Sequence, residues 1–376
     1  MQARDRRDPV RVLVIDDSAS IRIAFKKLIA EDPGLELIGT ATDPFQAADM
    51  MRERLPDVLL LDLQMPRMDG LTFLKKIMSQ RPMPVVVISS LTESGSHTSL
   101  KALEFGAAEV LAKPSIATPE ERREAAIRIC DAIHAAYQSG TGAAARGARR
   151  NAGRLRALAP GERLTADVIL PPAPARSGVA GPPVIAIGAS TGGTEAVREV
   201  LERLPLGLPP IAVVQHMPEH FTRAFAERLN TLCRISVKEA EDGDILLPGQ
   251  AVIAHGDRHL VLRPAGKAFR AELRNGPCVA RHRPSVDVLF RSVAQGAGPS
   301  ALGVLLTGMG DDGAAGLAEM HAAGAWTIAQ DEVSCVVYGM PRAAVELGAA
   351  SESLPLDRIA SEIVSRVGQG DARVAS

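Results

Sequence analysis

Short runs of β-branched and other apolar residues alternate with amphipathic stretches through the first third of the chain. The apolar runs are Val10 to Ile15, Leu35 to Gly39, Val58 to Leu63, Pro84 to Ser89 and Glu109 to Ala112. A stretch with helical spacing follows each run, as with Ile21, Phe25 and Leu28 after the first. Five such units predict a doubly wound (βα)5 domain over residues 1–137, with a parallel sheet and helices on both faces. Ligand chemistry in such a sheet belongs at the carboxyl ends of the strands.

A second alternating pattern begins at Pro183 and predicts another α/β domain over residues 180–376. The candidate buried strands are Val184 to Ile187, Ile211 to Val214, Gly303 to Leu306 and Trp326 to Ala329. Between them, Ser236 to Leu273 has shorter alternating runs and turns that predict a small antiparallel excursion. We therefore expect a mostly parallel sheet with a β-hairpin insert.

The segment between the two patterns, residues 138–179, is rich in Ala, Gly, Arg and Pro. Such a composition is typical of a flexible linker. Five arginines from Arg146 to Arg156, with no acidic residue among them, fit either a solvated tether or a docking site for an acidic partner.

Composition and charge narrow the class of protein. The 376 residues, 46% of them hydrophobic, suffice for two separate cores. The 43 basic and 44 acidic residues give a net charge of −1, which provides no general attraction to nucleic acid or to an anionic membrane. Met1 to Pro9 lacks an apolar signal region, no stretch is apolar enough to span a bilayer, and the four cysteines show no CxxC spacing. We predict a cytoplasmic protein with reduced thiols, no nucleic-acid partner and no membrane insertion.

Acidic and polar residues lie at the predicted carboxyl ends of the strands in the first domain. Asp16 and Asp17 follow the first strand, Asp62 and Ser89 lie at the ends of the third and fourth, and Lys113 follows the fifth. Crowded carboxylates require a cation, and hard oxygen ligands suit Mg²⁺, which also binds phosphate oxygens. A carboxylate beside that metal can attack phosphorus while Mg²⁺ and a lysine ammonium stabilise the transferring group. These residues therefore predict a phosphoacceptor site.

Four motifs of the first domain, VLVIDDS, LLLDLQMPRMDG, VVVISS and AKP, resemble in order and spacing those of a receiver domain. The resemblance implies that a histidine kinase phosphorylates Asp62, that Ser89 contacts the phosphoryl group and that Lys113 pairs with it. It also implies the Mg²⁺ ligands, which are Asp16, Asp17, Asp62 and the carbonyl of Gln64.

The second domain carries a candidate nucleophile directly after its first strand. In GASTGGTEA, Gly188, Ser190 and Gly192 satisfy G-x-S-x-G, a pattern that permits a sharp strand-to-helix turn presenting a serine hydroxyl. A Gly-rich turn also fits dinucleotide binding, but that function expects an acidic residue at the end of the next strand. This chain has Gln215 and His216 there.

His216 is the candidate base, because it follows the strand expected beside that of Ser190. The surrounding HMPEH also satisfies the H-x-x-E-H zinc pattern. That pattern needs both histidines on one helix, which Pro218 would disrupt.

The third member of a triad would be a carboxylate, which LLTGMGDDGAAG supplies as Asp311 or Asp312. Either aspartate can instead cap the helix that follows. The chain order Ser, His, Asp differs from that of ordinary α/β-hydrolases, which would require His321 as the base.

Five motifs of the second domain together resemble the catalytic domain of the CheB family: IGASTGGTEA, VVQHMPEHFT, RHRPSVDVLFRSVA, LLTGMGDDGAAG and AQDEVSCVVYGMPRAA. The resemblance implies that Ser190 is the nucleophile, His216 the base and Asp312 the orienting acid. It further implies that the Met309 backbone N–H stabilises the oxyanion and that Thr191 assists the site.

The resemblance implies a phosphorylation-activated protein-glutamate methylesterase that needs no cofactor for ester hydrolysis. Its substrate would be the cytoplasmic region of a methyl-accepting chemoreceptor, with deamidation of receptor glutamines as a second activity. In this family the unphosphorylated receiver domain packs over the catalytic cleft, and phosphorylation shifts that interface. The alternative is a non-enzymatic response regulator whose second domain only binds a partner, because a sequence contains the triad residues but not their geometry.

Overall fold

The structure is a computed structural model that describes residues 8–65, 69–89, 93–114, 118–140, 164–172 and 180–374. The chain forms two compact units, which divide between residues 161 and 162. In the described ranges, no helix is both long and apolar enough to cross a bilayer. The arginine-rich part of the predicted linker, Arg146 to Arg156, lies outside these ranges.

The first unit contains a five-stranded parallel sheet in the order β2-β1-β3-β4-β5. Its strands are β1 (Val10–Ile15), β2 (Leu35–Ala41), β3 (Val58–Asp62), β4 (Val85–Ser89) and β5 (Glu109–Ala112). Its helices are α1 (Ala19–Ala30), α2 (Pro44–Glu53), α3 (Gly70–Gln80), α4 (Glu93–Glu104) and α5 (Pro119–Gly140). The predicted doubly wound domain is confirmed.

Helices cover both faces of this sheet, which explains why most residues of its central strands are apolar. Val12 and Val14 of β1 pack in one core with residues of α1 and α5. Leu13 and Ile15 point to the opposite face and pack in a second core with residues of α2, α3 and α4. The strand order reverses between β1 and β3, so a crevice opens at the carboxyl ends of these two strands.

The second unit contains a seven-stranded parallel sheet in the order β15-β14-β13-β6-β7-β10-β8. Its strands are β6 (Val184–Ala189), β7 (Ile211–Gln215), β8 (Ser236–Glu239), β10 (Gln250–Ile253), β13 (Ala301–Leu305), β14 (Trp326–Gln330) and β15 (Glu352–Leu354). The helices are α6 (Gly193–Glu202), α7 (Phe221–Leu232), α8 (Val286–Ala297), α9 (Ala314–Ala322), α10 (Met340–Glu346) and α11 (Leu356–Val374).

The predicted β-hairpin insert is confirmed. Strands β11 (His259–Ala265) and β12 (Ala268–Arg274) form an antiparallel hairpin, which β9 (Ile245–Leu246) extends. The antiparallel part of Ser236 to Leu273 is β9, β11 and β12, whereas β8 and β10 join the main sheet in parallel. Short alternating runs indicate strands, but they do not specify which distant strand each will pair with.

Strand β6 lies between β7 and β13, with Ala189 opposite Gln215 and Gly188 opposite Leu305. The chain proceeds from β6 to β7 on one side and reaches β13 on the other, so the strand order reverses at β6. A crevice therefore opens at the carboxyl ends of these three strands. Ser190 and His216 are the first residues after β6 and β7.

Part of the predicted linker, residues 164–172, belongs to the second unit and packs within it. Ile169 and Leu170 are buried together with Val261, Val279 and Val288. The carbonyl of Leu170 also accepts a hydrogen bond of 3.0 Å from a guanidinium nitrogen of helix α8. Apolar side chains within the Ala-, Gly- and Arg-rich segment thus anchor this stretch by burial.

Candidate functional site

Ser190 lies on a sharp turn between β6 and α6. Its backbone N–H donates to the carbonyl of Thr307 at 3.0 Å, and its carbonyl accepts from Gly193 N at 2.7 Å. Gly192 has φ 77°, and a Cβ on this residue would lie 2.5 Å from Cβ of Val336. Only glycine meets both conditions without strain, which explains this position of the G-x-S-x-G pattern.

His216 lies beside this turn, its backbone N–H donating to the carbonyl of Ala189 at 3.1 Å. Its Nε2 atom lies 2.8 Å from Oδ2 of Asp312. Because an ionised carboxylate can only accept, Nε2 carries the hydrogen in this pair. Nδ1 is buried and has no hydrogen-bond partner among the described residues, so it is the ring nitrogen left to accept a proton.

Asp312 is buried and held by several donors from the start of helix α8. Besides His216, it accepts from the Ser285 hydroxyl at 2.8 Å, Val286 N at 2.7 Å and Asp287 N at 3.1 Å. Burial by itself would raise the pKa of Asp312, but His216 and these N–H groups outweigh it and lower the pKa to about 2. Asp312 therefore remains a carboxylate and fixes the imidazole in one tautomer.

The two candidate aspartates of LLTGMGDDGAAG have different positions. Asp312 contacts His216, whereas the carbonyl of Asp311 accepts a hydrogen bond from Ala314 N at the start of α9. The structure thus brings together the histidine and the second aspartate of the candidate triad.

Thr191 and Met309 lie on loops that adjoin Ser190. The Thr191 carbonyl accepts a hydrogen bond of 3.0 Å from the Thr307 hydroxyl. Met309 follows Gly308, and a Cβ on Gly308 would lie 2.7 Å from Cβ of Ser190. A glycine at this position is what allows the Met309 loop to pass so close to the serine.

The alternative assignments for the histidines do not fit the fold. His216 and His220 lie in the turn between β7 and α7, not on one face of a helix, which removes the H-x-x-E-H zinc geometry. His321 lies at the end of α9 and contacts Thr327 near the amino end of β14. Ser190, in contrast, follows the carboxyl end of β6.

Three residues at this site, Ser285, Asp287 and His282, make contacts that the sequence did not predict. Ser285 and Asp287 flank the start of α8 and would ordinarily be assigned to helix capping, but their donors go to Asp312. Asp287 is itself buried near Asp312, and this burial raises its pKa to about 8. The ring of His282 stacks on that of His216, with centroids 3.6 Å apart and planes 7° from parallel.

The ring nitrogens of His216 and His282 lie close enough to the Asp312 carboxylate to suggest a metal site. Their nearly parallel planes argue against it. Lone pairs in two stacked rings point side by side, whereas metal ligands must converge on one point. We therefore interpret this group as a stacked pair with a carboxylate.

The candidate phosphoacceptor residues meet at the carboxyl ends of β1, β3, β4 and β5. Lys113 Nζ lies 2.7 Å from Oδ2 of Asp62 and 3.2 Å from Oδ2 of Asp16. Gln64 N donates to the other oxygen of Asp62 at 3.0 Å. Ser89 is buried at the end of β4, and its carbonyl accepts a hydrogen bond of 2.9 Å from Lys113 N.

Burial raises the pKa of Asp62, although Lys113 and the Gln64 N–H act in the opposite direction. Burial lowers the pKa of Lys113, but Asp62 and Asp16 outweigh it and raise the pKa. The lysine therefore stays cationic beside the two carboxylates.

The three carboxylates of Asp16, Asp17 and Asp62 fit a divalent cation, since each offers an oxygen within 4.8 Å of the others. Oδ2 of Asp16 is buried, and no donor in the described residues makes a hydrogen bond with it despite the nearby Lys113 ammonium. A buried carboxylate oxygen without a hydrogen bond, in a set of hard oxygen donors, suits a metal such as Mg²⁺.

Comparison with known proteins gives matches over both units. Residues 185–363 match the family model of the CheB methylesterase, and residues 12–125 match that of the response regulator receiver domain. A protein-glutamate methylesterase/protein-glutamine glutaminase of the group 3 operon of Cereibacter sphaeroides is 56% identical over 354 residues, which are 94% of each chain. A protein of the same designation, number 3 of Geobacter metallireducens, is 52% identical over 96% of this chain and 99% of its own.

Solved structures also match parts of the chain. The CheB methylesterase catalytic domain of Thermotoga maritima is 38% identical, with a TM-score of 0.49, and covers 50% of this chain and 100% of its own. The response regulator domain of Thermotoga maritima CheB is 36% identical, with a TM-score of 0.31, and covers 34% of this chain and 96% of its own.

Proposed function

We propose, since this chain belongs to the family of CheB methylesterases with a receiver domain, that it hydrolyses glutamyl methyl esters of chemoreceptors. The products are a glutamate side chain and methanol. The observation that supports this most directly is the Asp312–His216 pair, placed directly beside the turn that bears Ser190. The enzyme designation of the relatives favours this function over that of a binding-only regulator.

In the first step, Ser190 Oγ attacks the ester carbonyl carbon while Nδ1 of His216 removes the hydroxyl proton. The imidazolium that forms is stabilised by the Asp312 carboxylate at Nε2. The tetrahedral oxyanion accepts a hydrogen bond from the Met309 backbone N–H, on the loop that Gly308 brings near the serine. Collapse breaks the bond to the methoxy group, which receives the proton from His216 and leaves as methanol.

In the second step, water attacks the acyl-enzyme carbonyl. Nδ1 of His216 removes a proton from this water and then returns it to Ser190 Oγ as the acyl bond breaks. The released product is the glutamate carboxylate. Thr191 assists from its position next to the nucleophile, where the Thr307 hydroxyl holds its carbonyl.

The same site deamidates receptor glutamines in a second reaction. A glutamine amide passes through an equivalent tetrahedral oxyanion, with ammonia leaving in place of methanol. The relatives carry both activities in their designations, which supports this reading.

The first unit regulates this activity through phosphorylation of Asp62 by a histidine kinase in the cytoplasm. Mg²⁺ would be held by the carboxylates of Asp16, Asp17 and Asp62 with the carbonyl of Gln64, and when bound it neutralises charge on the transferring phosphoryl group. Lys113 pairs with the same group, and the Ser89 hydroxyl contacts it. Phosphorylation changes the charge at this site and increases methylesterase activity by shifting a conformational equilibrium.

The test is methanol release from methylated receptor fragments, with and without a small-molecule phosphodonor and Mg²⁺. We expect the wild type to be stimulated, Asp62→Ala to retain only the unstimulated rate, and Ser190→Ala to be inactive. Wild-type protein that releases no methanol under either condition would contradict the proposed function.

A further inference from the structure

We propose that His282 is a positioning residue for the general base, because its ring holds the imidazole plane of His216 in the orientation that the reaction needs. This inference rests on the proposed function. His216 and His282 are 66 positions apart in the chain. Their rings stack with centroids 3.6 Å apart and planes within 7° of parallel.

The hydrogen bonds of His216 do not by themselves fix the orientation of its ring plane. Nε2 makes one hydrogen bond, to Asp312, and Nδ1 makes none among the described residues. A ring held by one hydrogen bond can still tilt about the Cβ–Cγ bond, since this terminal torsion has a broad energy well. A second ring stacked on its face opposes this tilt and keeps Nδ1 directed to one point.

The His282 ring is itself held by a hydrogen bond. The Nδ1 atom of His282 lies 2.9 Å from the carbonyl of Ala280, so Nδ1 carries a hydrogen because a carbonyl can only accept. This bond fixes the His282 ring relative to its own backbone.

The turn that carries His282 is tightly built. Val279 N donates to the His282 carbonyl at 3.0 Å, and His282 N donates to the Val279 carbonyl at 2.8 Å. Between them, Ala280 and Arg281 have φ of 47° and 73°, in the left-handed region that non-glycine residues rarely adopt. Such strain persists at a functional position only where the surroundings impose it.

Part of the imposed conformation comes from the docked segment of residues 164–172. Ala280 N donates to the Leu164 carbonyl at 3.0 Å, and Val279 and Ala280 are buried against Ile169 and Leu170. The segment is held in turn by Arg291 of α8, which forms an ion pair with Asp167. Residues 164–172 thus support the turn that carries His282, and His282 in turn supports His216.

The experiment compares His282→Ala with His282→Phe in the full-length protein, using methanol release and the NMR signals of the His216 ring. Removing the ring should lower kcat on the order of 10-fold to 100-fold with KM nearly unchanged, because orientation is lost while the substrate contacts remain. Phenylalanine keeps a stacking face, so it should restore most of the kcat. His321→Ala is the matched control, since this exposed histidine lies at the far edge of the sheet and its loss should leave kcat unchanged.

NMR can detect the stacking of the His216 and His282 rings in the absence of substrate. In the wild type and in His282→Phe, the His216 ring protons should show a ring-current shift that is lost in His282→Ala. The Nε2–H tautomer should be the same in all three proteins, because Asp312 fixes it. Equal kcat in wild type and His282→Ala overturns the proposal, as does a His282→Phe protein as slow as His282→Ala. If the wild type releases no methanol, the proposed function fails, and the NMR comparison still decides the positioning role.

Discussion

Ser285 donates its hydroxyl hydrogen to Oδ1 of Asp312 at 2.8 Å, so the carboxylate that holds His216 is itself held by the residue preceding helix α8. Both residues are buried. The orientation of His216, the proposed general base, therefore depends on contacts that reach from the β13–α9 loop to the start of α8.

Replacing this serine with alanine should weaken both the fold and the reaction. Ser285→Ala leaves Asp312 with one donor fewer, and a hydrogen bond to a buried charged group contributes about 1.5–3 kcal/mol. We expect the free energy of unfolding of the second unit to fall by about 2 kcal/mol and kcat to fall about 10-fold. Urea unfolding followed by Trp326 fluorescence reports on this unit alone, because Trp326 is the only tryptophan.

The control for this prediction is Ser361→Ala, since the Ser361 hydroxyl donates only to a carbonyl on the exposed face of α11. It should leave both quantities unchanged. A Ser285→Ala protein with wild-type kcat would mean that the remaining donors hold Asp312 without help.

The stability of the second unit should decrease as the pH rises, because of Asp287. Burial raises its pKa to about 8 in the folded protein, above the usual value of 3.8. The folded state therefore binds this proton more tightly than the unfolded state does, and unfolding releases it between these two values. The contribution is favourable at low pH, declines as the pH rises through this range and is fully lost above the folded pKa.

Asp287→Asn removes this titration. We expect the variant to resemble the wild type at pH about 4.5 and to be more stable than it at pH about 8.5, by on the order of 1 kcal/mol or more. Urea unfolding at the two pH values measures the difference. A difference that is the same at both values would show that the Asp287 carboxyl is not the group that titrates.

Burial of the segment at residues 164–172 should contribute measurably to stability. Leu170 is 3% exposed and packs in a buried cluster, whereas Val168 two positions earlier is 47% exposed. Leu170→Ala should lower the free energy of unfolding of the second unit by about 2–4 kcal/mol, and Val168→Ala by less than about 1 kcal/mol. Equal effects of the two substitutions would mean that the segment is not docked in solution.

Removal of divalent cations should affect the site at Asp62 but not the site at His216. Asp16, Asp17 and Asp62 offer the carboxylate oxygens of a cation site, whereas the stacked rings of His216 and His282 do not converge on a metal. Excess EDTA should therefore abolish stimulation by a phosphodonor and leave the unstimulated rate of methanol release unchanged.

Asp16→Asn with Mg²⁺ present should reproduce the loss of stimulation, because it removes a ligand charge. An unstimulated rate that falls in EDTA would instead place a metal in the hydrolytic reaction.

The local pattern of the sequence was sufficient to predict the strands and helices. It also predicted that the candidate sites lie at the carboxyl ends of the strands in each sheet. Val10 to Ile15 and Glu109 to Ala112 are strands with the predicted bounds, because short runs rich in β-branched and apolar residues favour strands. The sequence did not predict that β8 and β10 pair with the main sheet, because pairing between distant strands leaves little trace in the strands themselves.

The sequence by itself determined that Ser190, His216 and an aspartate of the Asp311–Asp312 pair follow strands of one parallel sheet, since strand ends and glycine turns are local features. Only the tertiary structure decided that Asp312 faces the imidazole, that it bonds to Nε2 and leaves Nδ1 without a hydrogen-bond partner in the described residues, and that His282 covers the ring. These facts depend on contacts between segments many residues apart. Such contacts arise from packing of the whole unit, which no spacing within a motif encodes.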